Sequence, residues 1–191
     1  MVSCCWTRLG LKKMAGKKKG EININNFKLL LEEGKIGENK ITNWLLKEGY
    51  IVMPFYEAEA NKAPKLLHSQ RAYIAPDILA SKGGECIWIE AKHKLGFSWH
   101  RKTQRWVTGI DIRNFNDYCE VDRITPWRVH LYFLHKGGQT KDSPNSPAGL
   151  FTNSLEYLKE NINHTHDNWG KSGMVYWSID SLKKVADIEE L

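Results

Sequence analysis

Apolar side chains recur in this chain with two different periods, and each period predicts a type of element. Apolar residues three and four positions apart predict helices, whereas alternation or a short apolar run predicts strands. Helices are expected at 25–33, 37–48, 110–121, 151–162 and 181–188. Strands are expected at 50–55, 73–81, 85–92, 127–135 and 173–178. This order predicts an α/β fold with a central mixed β-sheet flanked by helices.

The dipeptide Gly83-Gly84 predicts a hairpin with a defined register. Both glycines tolerate positive φ, which suits a two-residue turn. Counting outward from that turn places Asp77 opposite Glu90. Because side chains alternate between the faces of a strand, the hairpin has two distinct faces. One is a core face, with Ile78, Ala80, Ile87 and Ile89. The other carries Asp77, Leu79, Trp88, Glu90 and Lys92.

Two carboxylates that face each other across a hairpin favour a cation site. Their Cβ atoms would lie about 4.5–5.5 Å apart, where like charges are destabilising. A hard cation such as Mg²⁺ relieves that repulsion, since it binds one or two carboxylates together with water and phosphate. Lys92 shares the face of Glu90, so its ammonium can hold a water or offset charge on a phosphate. The alternative is an exposed polar face with a Glu90–Lys92 surface ion pair.

The residues of this hairpin also resemble a known signature. The stretch Pro76-Asp77-Ile78-Leu79, followed by Ile87-Trp88-Ile89-Glu90-Ala91-Lys92, resembles the motif of the PD-(D/E)XK nuclease superfamily. The resemblance implies a restriction-endonuclease-like core and metal-dependent hydrolysis of DNA phosphodiesters. It also implies that Asp77 and Glu90 are metal ligands and that Lys92 is an electrostatic helper in catalysis.

A second resemblance lies upstream, and the two together cover about residues 36–135. Gly37-Glu38, Trp44-Leu45 and Gly49-Tyr50 resemble the leading helix of the Holliday-junction resolvase-like and phage nuclease branches. The resemblance implies that Glu38 is a further catalytic residue and metal ligand. Alternatively, Glu38 is a solvated acid in the first turn of a helix, where the helix dipole favours negative charge.

The net charge of +6 is concentrated in the first twenty residues. Residues 1–20 hold six basic side chains and no acid, so 21–191 is neutral. We expect 1–20 to be a disordered basic arm and 21–191 to be a single nuclease domain. A neutral domain binds a polyanion only through clustered positive charge. One such cluster exists, because residues 91–110 contain no acid.

This basic segment is expected to contact DNA as a loop spanning 94–105. Arginine and lysine would contact phosphates, and tryptophan would stack on an unpaired or splayed base. The expected contacts are Lys94, Trp99, Arg101, Lys102 and Arg105. The alternative is a solvated loop with one Trp in the core.

The sequence as a whole predicts a metal-dependent DNA endonuclease that uses Mg²⁺, with Mn²⁺ able to substitute. No apolar run reaches the length of a membrane span, and the four cysteines form no Cys-x-x-Cys pair. We therefore expect no membrane partner and a cytoplasmic protein of phage or mobile-element origin. A homodimer is expected by analogy only. The alternatives are a catalytically silent DNA-binding or partner-docking module and a nuclease that acts on RNA.

Overall fold

The structure is a computed structural model that describes residues 24–54, 63–69, 71–139, 144–167 and 172–191. The expected basic arm at 1–20 lies outside these residues. The helices are α1 (Ile24–Lys47), α2 (Ile112–Ile124) and α3 (Leu155–Glu160), with short 3-10 turns at Ile179–Ser181 and Ile188–Glu190. The first strands are β1 (Ile51–Pro54), β2 (Lys65–Leu67), β3 (Ala72–Ile74), β4 (Ile78–Lys82), β5 (Glu85–Lys94), β6 (Ser98–His100) and β7 (Arg105–Asp111). The later strands are β8 (Arg128–His135), β9 (Gly138–Gln139), β10 (Asn145–Ser146), β11 (Gly149–Ser154), β12 (His164–His166), β13 (Met174–Ser178) and β14 (Lys183–Ala186).

A six-stranded mixed sheet forms the centre of the fold, in the order β1-β4-β5-β8-β11-β14. Strands β5 and β8 are parallel, and their neighbours pair antiparallel. A second sheet of four strands has the order β12-β13-β7-β6. The predicted α/β fold with a central mixed sheet flanked by helices is confirmed. None of the described helices has the length and apolarity to cross a membrane.

Both faces of the central sheet are buried. Helix α1 covers one face, where Ile41 and Leu45 pack with Ile78, Ile89 and Leu134. Helices α2 and α3 and the second sheet cover the other face, and the core there includes Leu79, Trp88, Tyr118, Val129, Leu131, Phe133, Leu158 and Trp177. The face of the hairpin that carries Glu90 is therefore a packed interior face, where an unpaired charge is costly.

Two predicted boundaries near the amino terminus are wrong. The helices expected at 25–33 and 37–48 are one continuous helix, α1, which runs through Gly34. A glycine costs a helix interior only about 1 kcal/mol, which the packing of α1 on the sheet offsets. The strand expected at 73–81 is two strands, β3 and β4, separated at Ala75-Pro76-Asp77. Proline lacks the N–H that a central ladder requires.

Three further predictions are wrong because non-local strand pairing overrides local periodicity. The helix expected at 151–162 begins only at Leu155, and β11 precedes it between β8 and β14. The helix expected at 181–188 is instead the edge strand β14. The segment expected as a loop at 94–105 is the end of β5 and the β6–β7 hairpin. Strand propensity depends on cross-strand neighbours that a single segment does not reveal.

Candidate active site

The hairpin β4–β5 has the register that its turn predicts. Ile78 pairs with Ile89, and Lys82 pairs with Glu85. The ladder ends at Ile78, so Asp77 lies in a bend just beyond it. There the Asp77 Oδ2 atom accepts a hydrogen bond of 2.9 Å from the backbone N–H of Ala91. That bond holds the Asp77 carboxylate beside the segment of β5 that carries Glu90 and Lys92.

Glu90 is a buried carboxylate with an incomplete set of partners. The residue is 1% exposed, and its Oε1 atom forms an ion pair with the ammonium of Lys92. Its Oε2 atom is buried and has no hydrogen-bond partner among the residues that the structure describes. A buried acceptor without a partner costs about 1–3 kcal/mol, and more when it is charged. A bound cation or a water molecule would satisfy this oxygen.

Charge interactions couple Asp77, Glu90 and Lys92. Burial raises the pKa of Asp77 well above its usual value, and the nearby charge of Glu90 raises it further. For Lys92, burial lowers the pKa, but the carboxylates of Glu90 and Asp77 outweigh this effect and raise it above the usual value. Lys92 is thus a fixed positive charge between two acids that repel each other.

Tyr118 of α2 is a further neighbour of the site. Its side chain is 1% exposed and packs on the same face of the sheet as Trp88. Burial raises the pKa of Tyr118 well above its usual value, the charges of Glu90 and Asp77 raise it further, and the hydroxyl donates a hydrogen bond to the Glu90 carboxylate. The phenol therefore stays protonated.

Helix α1 brings Glu38 to this site through a close contact at Gly37. Gly37 is buried, and a Cβ atom there would overlap the Cβ of His93 on β5. The absence of a side chain lets the helix approach the strand at this point. The charge of Glu38 raises the pKa of both Asp77 and Lys92, so its carboxylate lies near both groups. Within the described ranges, however, no three His, Cys, Asp or Glu side chains converge into a ready-made metal cage.

Gly37→Ala should destabilise the protein by about 1–3 kcal/mol, because the new methyl group overpacks the α1–β5 contact. It should also lower any activity that depends on Glu38, since the helix must shift. Gly34→Ala is the matched control: it lies in the same helix, and its Cβ would meet no atom within 4 Å. That change should stabilise the protein by about 0.5–1 kcal/mol. Thermal melts of both variants measure the difference, and equal melting temperatures would contradict a tight contact at Gly37.

The basic segment that follows the site contains a β-hairpin, and its positive side chains differ in their contacts and exposure. Lys94 Nζ donates a 2.6 Å hydrogen bond to the carbonyl of Gly109 on β7, and burial followed by the charge of Lys92 lowers its pKa to about 8. A lysine ammonium has three donors, so this bond leaves two for a phosphate, and the expected DNA contact of Lys94 stays a prediction. Arg101 and Lys102 are exposed in the turn of the β6–β7 hairpin.

The two tryptophans of this hairpin pack against each other. Trp99 pairs across the strands with Trp106, and their rings meet edge to face with centroids 5.0 Å apart. Both residues remain partly exposed. Arg105 is exposed and forms an ion pair with Asp180. Neither a solvated loop nor a single Trp in the core describes this segment.

The residues at the site fit a magnesium ion. Mg²⁺ typically takes one or two carboxylates and completes its shell with water and substrate phosphate. Asp77 and Glu90 supply two carboxylates, and Oε2 of Glu90 has no hydrogen-bond partner in the part of the chain that the structure describes. Lys92 remains beside them as a positive group that does not compete for a ligand position.

Two solved structures are similar to this chain. One is Hjc, a Holliday junction resolvase from Archaeoglobus fulgidus, at 11% identity over 78% of this chain and 90% of that chain, with a TM-score of 0.48. The other is D212, a nuclease from a fusselovirus, at 12% identity over 92% of each chain, with a TM-score of 0.36. Both structural neighbours are nucleases. No family profile and no curated protein sequence matches the chain. Residue roles in this chain therefore rest on its own geometry.

Proposed function

We propose that this protein is a magnesium-dependent DNA endonuclease with Asp77, Glu90 and Lys92 at its active site. One observation carries the proposal. A nearly fully buried carboxylate, Glu90, keeps one oxygen without a partner among the described residues and lies beside a second acid, Asp77, whose pKa it raises. Lys92, two residues after Glu90 on the same strand, completes this group of charged side chains.

A purely structural role explains this arrangement poorly. The alternative of a surface ion pair requires exposed partners, but Glu90 is 1% exposed. Moving an ion pair out of water costs more free energy than the attraction between the two ions contributes, unless further hydrogen bonds satisfy both ions. Here a second carboxylate adds repulsion. A bound cation would offset both the cost of burying the charges and the repulsion between the two carboxylates.

The chemistry follows from what each residue can hold. Asp77 and Glu90 would bind Mg²⁺, with Asp77 oriented by the N–H of Ala91. Magnesium bound there would polarise the scissile phosphate and lower the pKa of an attacking water. Lys92 would donate a hydrogen bond to that water or to a phosphate oxygen where negative charge develops. Glu38 is proposed as a nearby ligand that acts directly or through water, because the structure has no convergent group of three acids among the described residues.

Contacts with the DNA backbone are assigned to the turn of the β6–β7 hairpin. Arg101 and Lys102 project there, within a segment from 91 to 110 that has no acid. Outside residues 1–20 the chain is neutral, so a local cluster must supply the attraction for phosphates. A homodimer, a cytoplasmic location and a phage or mobile-element origin stay predictions.

The test is a cleavage assay on supercoiled plasmid, on branched and nicked DNA, and on RNA. Reactions contain Mg²⁺, Mn²⁺ or a chelator. We expect DNA cleavage with either metal and none with the chelator. Tight DNA binding without cleavage in any condition would replace the proposal with a silent binding module. Cleavage of RNA alone would retain the chemistry and overturn the assigned substrate.

A further inference from the structure

An open cavity of about 460 Å³ lies beside the β6–β7 hairpin, and neither Asp77 nor Glu90 belongs to its lining. The indoles of Trp99 and Trp106 form part of its wall, and Arg105 and Asp180 belong to the same lining. Its size falls within the range of about 300–1,000 Å³ that is typical of sites for small organic groups. No step of the proposed cleavage chemistry uses this cavity.

The walls of the cavity combine aromatic surface with hydrogen-bonding groups. The two indoles meet at an interplanar angle of 70°, so their ring planes point in different directions. Arg105 supplies donors, and Asp180, whose Oδ2 accepts from Ser178 Oγ at 3.0 Å, supplies acceptors. Gln104 and Thr103 add polar atoms to the lining. A flat heterocycle with a polar edge matches this combination.

The charge around the cavity indicates that its ligand is anionic. Arg101 and Lys102 are exposed in the turn that joins β6 to β7, next to the lining residues Thr103 and Gln104. Asp180 is the one acid among the lining residues, and it is already paired with Arg105. A ligand with both a flat heterocycle and a negative backbone is a nucleotide within a nucleic-acid strand.

We propose that this cavity binds an unpaired nucleobase, so that the substrate of the nuclease is DNA with a single-stranded segment. The inference rests on the proposed nuclease function and specifies its substrate class. In a duplex both faces of a base are covered by its neighbours, and only an unstacked base can offer a face to an indole. The cavity thus selects for DNA structure and not for base sequence.

The geometry of the strands also predicts how far from the unpaired base the cut falls. The bond from Lys94 to Gly109 ties the hairpin to β5 two residues beyond Lys92. Trp106 lies three residues from Gly109 on β7. At about 3.3 Å per residue, these steps place the cavity on the order of 10–20 Å from Lys92. A paired DNA strand advances about 3.4 Å per nucleotide, so a cut in the paired DNA beside the fork corresponds to about three to six nucleotides from the unpaired base.

The experiment measures the affinity of the full chain for three DNAs in the presence of a chelator, so that no cleavage occurs. The DNAs are a duplex with unpaired thymine tails, the same fork with abasic tails, and a fully paired duplex of equal length. We expect the thymine fork to bind about tenfold more tightly than either other DNA, as expected for stacking of one or two bases. Equal affinity for the thymine and abasic forks would overturn the proposal, and this comparison needs no variant.

Substitutions at Trp99 test whether the preference for the thymine fork arises in this cavity. Trp99→Ala should remove the preference for the thymine fork, and Trp99→Phe should retain most of it because a ring remains. Tyr157→Ala is the matched control, since Tyr157 is an aromatic residue on α3 that is 43% exposed and does not line the cavity. A preference that survives Trp99→Ala would overturn the assignment to this cavity.

A parallel cleavage map with Mg²⁺ separates this inference from the function on which it rests. Cleavage of paired DNA without a preference for forks would support the proposed nuclease function and overturn the proposed binding of a base in the cavity. A Trp99-dependent preference for forks without any cleavage would support the binding of a base in the cavity and overturn the proposed nuclease function. A cut about three to six nucleotides from the fork would support both.

Discussion

Lys92→Met is expected to lower the rate of DNA cleavage by about 10²–10³-fold or more while leaving the affinity for uncut DNA unchanged. The ammonium of Lys92 is the positive group beside Asp77 and Glu90, and its chief effect is on charge that develops during the reaction. Methionine keeps most of the length of the side chain. Single-turnover cleavage at saturating protein measures the change, and fluorescence anisotropy with a chelator measures binding.

The loss of Lys92 also leaves Glu90 without its ion-pair partner. Breaking a buried pair costs about 3–5 kcal/mol when the remaining charge is uncompensated, so the variant must be shown to be folded. Thermal melts with and without Mg²⁺ provide that check, and added Mg²⁺ should recover part of the loss. Lys82→Met is the matched control, because Lys82 is an exposed lysine at the other end of the hairpin that donates to the carbonyl of Glu48. Turnover at the wild-type rate in Lys92→Met would end the proposed mechanism.

Asp77→Asn should raise the stability of the metal-free protein and abolish its dependence on metal. The carboxylate of Asp77 is disfavoured by burial and by Glu90, which is why its pKa is raised. Asparagine removes the charge but keeps an oxygen that can accept from Ala91 N–H. Relief of a like-charge pair should contribute about 0.5–1 kcal/mol. Since a raised pKa in the folded state means that the ionised acid costs stability, the gain should be largest above that pKa and vanish in acid.

The same substitution removes a proposed metal ligand. Millimolar Mg²⁺ should therefore stabilise wild type much more than Asp77→Asn, because a ligand stabilises the folded state only as far as it binds there. Cleavage by the variant should be lost as well. Melts in chelator and in Mg²⁺, repeated from acid to neutral pH, decide the matter. A variant that is less stable than wild type without metal and still cuts DNA would contradict the site and the function together.

The part of the site that local sequence determines could be predicted. Gly83 and Gly84 adopt positive φ angles of 62° and 87°, and the turn they form sets the register that places Asp77 near Glu90 and Lys92. The mixed sheet follows from the same local signals. What local sequence does not determine is the second layer over the hairpin, which buries Glu90 to 1% exposure.

The missed elements share one physical cause. Strands β7 and β14 exist because the distant strands β13 and β11 offer them partners, and their own periodicity is weak or resembles that of a helix. Lys94 illustrates the consequence: nothing in the basic run around it indicates that β7 supplies the carbonyl of Gly109 as a partner for its ammonium. Tyr118 lies on the apolar side of the helix expected at 110–121, and the packing of α2 on the sheet brings its hydroxyl to Glu90.

The strand that carries Glu90 and Lys92 is the ten-residue β5, which lies between β4 and β8 in the interior of the central sheet. Amide groups in such a strand exchange with solvent only when a large cooperative unit of the protein opens. The proposed catalytic groups thus lie on an interior strand of the sheet and not in a loop that frays on its own. Heating should leave no temperature range in which this centre has melted while the rest of the domain persists.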